Sequence, residues 1–168
     1  VGSPGFGLTG NRDLQFGEGF SGYPGDPNQH DRDLGFALAV GDFDGDGVDD
    51  VAIGAPGELR PPFDHAGGVA VVMGAEGTGL EPDPNRNHLF LPGVYGVPGS
   101  LTEVGMSWGR ALAAGDFDGD GTYDLAVGAP FEEEDGFSSV GTLTILLGAL
   151  FADGFELVAL DRWSSALP

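Results

Sequence analysis

Residues 42–50 read Asp-Phe-Asp-Gly-Asp-Gly-Val-Asp-Asp and residues 116–124 read Asp-Phe-Asp-Gly-Asp-Gly-Thr-Tyr-Asp, so one acidic loop occurs twice in this chain. Aspartates occupy loop positions 1, 3, 5 and 9 in both copies, and a glycine at position 6 permits a sharp turn. Oxygen ligands at this spacing suit Ca²⁺, which takes about six to eight oxygens and commonly binds a backbone carbonyl at position 7. The pattern predicts two Ca²⁺ sites, with ligands from Asp42, Asp44, Asp46, Val48 and Asp50 and from Asp116, Asp118, Asp120, Thr122 and Asp124.

The flanks of the loops differ from those of an EF-hand. Position 12, where that motif has a bidentate Glu, is Ile53 in one loop and Val127 in the other, and neither side chain binds metal. Short apolar runs that end at glycine lie on both sides of each loop, and their length is typical of strands. Mg²⁺ and a metal-free turn are the alternatives, but four carboxylates within nine residues repel one another unless a cation joins them.

The repeat extends beyond the loops. Residues 34–58 match residues 108–132, 74 positions later, in a glycine, an Ala-Leu-Ala, the acidic loop and a Gly-Ala-Pro. Each copy continues into a further apolar run, at 68–74 and 141–148, and a weaker strand is predicted at 88–91 and at 156–160. Each repeat therefore contains about four strands. Because an internal repeat of this kind indicates a fold built from successive similar units, the sequence predicts an all-β protein.

These residues resemble the FG-GAP repeat family, which forms the β-propeller blades of integrin α-subunits and of many bacterial secreted or surface proteins. The Gly-Ala-Pro is present at 54–56 and at 128–130, while the opening aromatic-Gly pair reads Leu34-Gly35 and Trp108-Gly109. The resemblance implies four-stranded antiparallel blades, Ca²⁺ held between the first two strands, and a role in extracellular adhesion or assembly. Residues 14–22 would correspond to the outer strand of a preceding blade.

Two blades are too few to close a propeller, which takes about four to eight. We predict a single β-propeller-like unit over 1–168, divided into an N-terminal strand and loop region at 1–33, blade 1 at 34–91, a loop at 92–107, blade 2 at 108–161 and a C-terminal tail at 162–168. The terminal faces of such a stack are apolar and need a cover. We expect a homo-oligomeric ring or filament, with exchange of segments 13–16 and 156–163 as one route to it, or other blades of a larger propeller.

Composition limits the partners. The net charge of −21 and the presence of only six basic residues, all arginine, argue against nucleic acid and against an anionic membrane surface. No apolar stretch has transmembrane length, and the absence of cysteine leaves the redox compartment undecided. A loop without Glu at position 12 suits the Ca²⁺ levels outside cells, so we expect a secreted or cell-surface location. The acidic run at 132–135 indicates a solvated loop or a further cation site.

No catalytic motif is present, and the three histidines lie in separate polar segments, so we expect a non-enzymatic calcium-binding structural or interaction module. The alternative is a lectin-like or carbohydrate-active propeller that binds a glycan through loops 22–33, 57–67 and 92–107. Trp108 and Trp163 could stack on a sugar in that case, although Trp108 occupies the aromatic position of the repeat and is predicted to be in the core.

Overall fold

The computed structural model describes residue 16 and residues 33–58, 66–80, 86–94, 96–99, 105–132 and 140–148. All regular structure in these ranges is β-strand, as the repeat predicted. None of the described residues forms a helix long and apolar enough to cross a membrane. The predicted segments 14–22 and 156–160 and the tail at 162–168 lie outside the described residues, except for Phe16.

Blade 1 is a four-stranded antiparallel sheet. Its strands, in spatial order, are β1 (Leu38–Gly41), β2 (Asp50–Ala55), β3 (Gly68–Val72) and β6 (His88–Phe90). Val40 pairs with Val51, and Val51 pairs with Val72, so the apolar runs of the sequence lie side by side. The predicted weak strand at 88–91 is the outer strand β6, where Phe90 pairs with Val69.

Blade 2 repeats this arrangement over its described part. Its antiparallel strands are β7 (Ala111–Gly115), β8 (Asp124–Ala129) and β9 (Thr142–Leu146), in that spatial order. The register is conserved between the copies: Leu112 pairs with Val127 in blade 2, as Leu38 pairs with Ile53 in blade 1.

A short hairpin divides the predicted strand at 68–74. The main strand β3 ends at Val72, and β4 (Gly74–Ala75) pairs with β5 (Gly79–Leu80) in a separate two-stranded sheet. The signal for this turn is present in the sequence as the glycines at 77 and 79, both of which adopt positive φ.

The core lies between the two blades. One face of blade 1, with Ala39, Ala52, Val69 and Val71, packs in a single buried cluster with Leu125, Val127 and Leu146 of blade 2. Trp108, just before β7, is also in this cluster and is only 1% exposed, and its Nε1 donates a hydrogen bond to Thr144 Oγ1. The two sheets therefore stack face to face, and the prediction that Trp108 belongs to the core is confirmed.

Glycines let the backbones of the two blades approach closely. A Cβ atom added at Gly54 would lie 2.1 Å from the carbonyl oxygen of Gly109, and one added at Gly109 would lie 2.4 Å from the carbonyl oxygen of Gly68. Gly67 forms a parallel bridge with Trp108 at the same contact. Any side chain at these positions would push the blades apart.

The close approach of the two blades can be tested with a matched pair of glycine substitutions. We expect Gly54→Ala to lower the free energy of unfolding by about 2 kcal/mol or more, because the new methyl group meets a backbone carbonyl that cannot move cheaply. Gly128 is the equivalent residue in blade 2, where an added Cβ would meet Ala111 Cβ at 3.4 Å and the Ala111 carbonyl oxygen at 3.8 Å, which are ordinary contact distances. Gly128→Ala should therefore change the free energy of unfolding by less than about 1 kcal/mol.

Urea unfolding followed by tryptophan fluorescence measures both variants, since Trp108 lies at the contact. Equal destabilisation by the two substitutions would show that the close approach at Gly54 does not hold the blades together.

Candidate metal centre

The two acidic loops connect the first two strands of each blade. Asp42 directly follows β1 and Asp50 opens β2, while Asp116 and Asp124 have the same places between β7 and β8. Because the two strands are antiparallel neighbours, the first and last aspartates of each loop come together at one end of the sheet. Gly47 and Gly121 at position 6 both adopt positive φ, as the turn requires.

The aspartate at position 9 is buried and anchors the loop to the sheet. Asp50 Oδ2 accepts a hydrogen bond from the Phe43 amide at 2.9 Å, and its Oδ1 accepts one from the Gly74 amide at 2.8 Å. Asp124 makes the same two bonds, with Phe117 at 2.7 Å and Gly148 at 2.8 Å. One carboxylate thus joins the acidic loop to the segment that follows the third strand, and the exact repetition in blade 2 shows that the motif encodes it.

The other aspartates order the loop through backbone amides. Asp42 Oδ2 accepts a hydrogen bond from the Gly47 amide at 2.9 Å, and Asp46 Oδ1 accepts one from the Val48 amide at 2.8 Å. Asp116 and Asp120 make the equivalent bonds in blade 2, at 3.1 Å with the Gly121 amide and 2.7 Å with the Thr122 amide. These bonds hold several of the carboxylates in place through amides of the loop itself.

The structure brings together three of the four predicted aspartates in each loop. One ligand oxygen from each of Asp42, Asp44 and Asp50 lies within 4.8 Å of the others, and Asp116, Asp118 and Asp124 form the same triad. Asp46 and Asp120 lie outside these triads. The ligand role of their carboxylates, and that of the carbonyls of Val48 and Thr122, stays a prediction.

A buried oxygen tests whether the first triad fits a cation. Asp42 Oδ1 is buried and accepts no hydrogen bond, although an unpaired carboxylate oxygen is costly to remove from water. In blade 2 the corresponding oxygen, Asp116 Oδ1, accepts a hydrogen bond from the Gly119 amide at 2.7 Å. A hard cation at the first triad would supply the missing partner, so the residues present fit such an ion.

The raised pKa of Asp50 also indicates that a cation fits the first triad. Burial, and to a smaller extent the nearby charges of Asp44 and Asp46, raise the pKa of Asp50 to about 6, against the two amide hydrogen bonds that lower it. The charged form of this carboxylate is therefore destabilised even though two amides bind it. A divalent cation at the triad would instead stabilise the charged form of Asp50, because positive charge within about 4–6 Å favours an ionised carboxylate.

The two loops differ in how far they are covered. The Tyr123 amide donates a hydrogen bond to the Asp42 carbonyl at 3.2 Å, and the Tyr123 ring packs directly over Gly41. Asp42 and Asp44 are consequently half-buried, whereas Asp116 and Asp118 are exposed. Blade 2 thus covers the loop of blade 1.

Arg86 is a part of the first site that sequence reasoning missed. Its guanidinium Nη2 lies 3.5 Å from Asp44 Oδ2 and 3.6 Å from Asp46 Oδ2, so it partly neutralises the loop. Arg86 precedes β6 by two residues and is 36 positions away from the end of the loop at Asp50. Only the folding of β6 against β3 brings it near, and no motif in the sequence signals that approach.

The remaining candidates lie apart from the triads. His88 is in β6, where burial lowers its pKa, and it is in contact with Phe90 at a ring separation of 6.0 Å. Glu132, the first residue of the acidic run, accepts a hydrogen bond from Thr142 Oγ1. Trp108 is buried and cannot offer its face to a sugar. His30, His65, Trp163 and residues 133–135 lie outside the described residues.

Comparison with known proteins agrees with this geometry. The model of the FG-GAP repeat matches residues 34–72 and 108–146, which begin just before the first strand and end with the third strand of each blade. Each match contains one aspartate triad and the complete acidic loop.

Individual relatives match more than two thirds of the chain. The chain is 34% identical over 120 residues to phosphatidylinositol-glycan-specific phospholipase D of Homo sapiens, covering 69% of this chain and 13% of the relative. It is 34% identical over 128 residues to integrin alpha ina-1 of Caenorhabditis elegans, covering 73% and 10%. It is 33% identical over 123 residues to integrin alpha-PS2 of Drosophila melanogaster, covering 70% and 7%.

The chain therefore spans a small part of these relatives, and what it shares with them is the blade. The family match, the four-stranded sheet of blade 1 and the repeated aspartate triads agree with one another. The chain carries two repeats of the FG-GAP family, one in each blade.

Proposed function

We propose that this protein is an extracellular calcium-binding structural or interaction module, without enzymatic activity, built from FG-GAP blades. The observation that carries the proposal is the pair of aspartate triads, each with three ligand oxygens within 4.8 Å. The unpaired buried Oδ1 of Asp42 adds to it, because that oxygen needs a positively charged partner. Ca²⁺ is the best candidate, since all available ligands are oxygens and the loops are irregular.

The cation would have a structural role. Bound Ca²⁺ would supply positive charge among the carboxylates. The chain's own residues then fix the loop: Asp42 at the end of β1 and Asp50 at the start of β2 converge on one point, and Asp50 carries the connection on to Gly74. Blade 2 repeats this through Asp124 and Gly148. Neutralising the triad would therefore stabilise three strands of each blade together.

A module of this kind acts by contact with other blades. Apolar side chains remain exposed on both outer faces of the two-blade stack, among them Leu38 at 62% and Leu143 at 67%. Patches of this kind mark interaction surfaces. We infer that further blades cover them, either in other copies of this chain, as a ring or filament, or in a larger propeller.

An extracellular location follows from the same reasoning. Loops of this type suit the Ca²⁺ concentrations found outside cells, since extracellular modules bind with dissociation constants of about 10⁻⁴ to 10⁻³ M. The similarity to integrin alpha chains supports an adhesion or assembly role rather than catalysis.

The phospholipase D relative does not support an enzymatic role for this chain. The match covers 13% of that relative, and the FG-GAP repeats of this chain are at residues 34–72 and 108–146. Within the described ranges, the clusters of three or more His, Cys, Asp or Glu side chains are the two aspartate triads. Their carboxylates accept hydrogen bonds from backbone amides and converge on one point, which suits cation binding better than acid–base chemistry.

Calcium binding can be tested with a matched pair of variants in one loop. Asp44→Asn removes a charge from the first triad but keeps an oxygen acceptor, so we expect Ca²⁺ affinity at that site to fall by about tenfold or more. Asp49→Asn removes the same charge from the exposed position 8, which is outside the triad, and should have a much smaller effect. Asp118→Asn provides the equivalent test of the second site.

Isothermal titration calorimetry measures the affinities, and thermal unfolding measures the structural role. With Ca²⁺ at about 100 times its dissociation constant, each site contributes about 2.7 kcal/mol, which raises the melting temperature by about 5–10 °C per site. An identical melting curve in Ca²⁺ and in chelator would contradict the structural role, even if binding is detected.

Arg86 gives a second prediction, which separates the two sites. Its guanidinium competes with a cation for Asp44 and Asp46, so Arg86→Gln should raise Ca²⁺ affinity at the first site by about two- to fivefold. The same substitution should lower the melting temperature in chelator, where Arg86 is the nearest positive charge among the described residues.

The titration is done in an Asp118→Asn background, so that the first site is observed alone. Arg110→Gln is the control, because it removes the same charge from a residue that packs over the rings of Phe36 and Phe131 instead. Weaker Ca²⁺ binding by the Arg86→Gln variant would contradict this prediction. It would show that Arg86 stabilises the occupied site and does not compete with the cation.

A further inference from the structure

The internal blade contact defines two different faces on every blade. The forward face points toward the next blade in the chain and in blade 1 consists of Ala39, Ala52, Val69 and Val71. The rear face points toward the preceding blade and in blade 2 consists of Leu112, Ala114, Leu125, Val127 and Leu146. The core of the molecule is one forward face packed on one rear face.

The repeat register places the same two faces on the outside. Residues 74 positions after the forward face of blade 1 are Ala113, Ala126, Leu143 and Ile145, which form the forward face of blade 2. Leu143 is 67% exposed and Ile145 is 39% exposed. Residues 74 positions before the rear face of blade 2 include Leu38 and Val40, which are 62% and 54% exposed, whereas Val72, the equivalent of Leu146, is only 1% exposed. The uncovered part of the rear face of blade 1 is therefore its β1 side. This side and the exposed face of blade 2 match parts of the two faces that already pack on each other inside the chain.

Glycines on the uncovered faces support this match. Gly54 must be glycine because its Cβ would meet the Gly109 carbonyl at 2.1 Å, but no described residue imposes this on Gly128, its equivalent on the forward face of blade 2. Gly35, the equivalent of Gly109, has the same φ of +90°, and no atom of the described residues lies within 4 Å of an added Cβ. The space for a backbone-to-backbone approach is thus present on both outer faces.

A shallow apolar depression lies where the partner backbone would fit. It is lined by residues that include Gly128, Pro130, Gly141 and Leu143 on the forward side of blade 2. In blade 1 the corresponding position, at Gly67, is bridged by Trp108 from the next blade. The residue equivalent to Trp108 is Leu34, which precedes Gly35 beside the rear face of blade 1.

We propose that a second copy of this chain covers these faces, with the forward face of blade 2 in one copy packed on the rear face of blade 1 in the next. This rests on the proposed function, which requires further blades, and it specifies the partner and the register. In that register Gly128 of one copy meets Gly35 of the other, as Gly54 meets Gly109 within the chain. The contact is heterologous, so repetition produces a ring if the rotation closes and a filament if it does not.

The first experiment measures the mass of the given chain by analytical ultracentrifugation, in Ca²⁺ and about 0.15 M salt, over a concentration series. Salt is needed because copies with a net charge of −21 repel each other. We expect concentration-dependent association. A monomer at every concentration up to about 100 µM would overturn the proposal.

Two charge variants then test the direction of the contact. Leu143→Asp disables the forward face and Leu38→Asp disables the rear face, so each alone should weaken association by at least about tenfold. An equimolar mixture should form a one-to-one dimer and nothing larger, because the intact forward face of the Leu38→Asp chain meets the intact rear face of the Leu143→Asp chain. If the mixture stays monomeric, or if either variant still associates alone, the head-to-tail register is wrong.

Gly128→Ala tests the backbone contact, and Thr78→Asp is the control. Gly128→Ala should leave unfolding unchanged and weaken association by about tenfold or more, because its methyl group would meet the partner backbone. Thr78→Asp adds a charge to the β4–β5 hairpin, outside both faces, and should not affect association.

The melting temperature in Ca²⁺ and in chelator is measured on all variants. If the unsubstituted chain stays monomeric but its melting temperature responds normally to Ca²⁺, this inference alone is overturned. If the unsubstituted chain shows no response to Ca²⁺, the proposed function is overturned.

Discussion

The buried aspartate at position 9 is the interaction on which the rest of each blade depends. Asp50 and Asp124 lie at 0% exposure, and each uses both oxygens to bind one amide of the acidic loop and one amide beyond the third strand. The same carboxylate begins the second strand and belongs to the metal triad. Burying it without positive charge is costly, so strand pairing, loop shape and cation binding are linked through one side chain.

The sequence predicted the elements that a local pattern encodes. The Asp-Gly loops, the apolar runs beside them and the repeat at 74 positions led to two antiparallel blades and to the triad residues Asp42, Asp44 and Asp50, which the structure brings together. The hairpin at Gly74–Leu80 was missed, because an apolar run extending to Met73 conceals the break at Val72. Arg86 was missed because it approaches the loop through tertiary packing, and no local spacing reports such a contact.

Equivalent residues of the two repeats have different surroundings. Comparing them shows which residues contact the other blade. Gly54 and Gly128 occupy the same place in the motif, yet only Gly54 has a backbone carbonyl against it. Val69 and Leu143 are likewise equivalent, and one is fully buried while the other is 67% exposed. For these two pairs the residue type follows the repeat, whereas the surroundings depend on the neighbouring blade. Val72 and its equivalent Leu146 are both buried, so the difference concerns particular positions and not a whole face.

The contact between the blades also bears on the candidate metal centre, for a related reason. Tyr123 of blade 2 covers the acidic loop of blade 1, and its amide binds the Asp42 carbonyl, so the second blade helps to exclude water from the first triad. In a head-to-tail contact the residue equivalent to Tyr123 is Asp49 of the next copy, which would bring a further carboxylate toward the loop at Asp116. Without a cation this contact adds like charges, and with one it adds an oxygen-rich neighbour to an exposed site. Association through these faces should consequently depend on Ca²⁺ more strongly than the apolar contact alone would require.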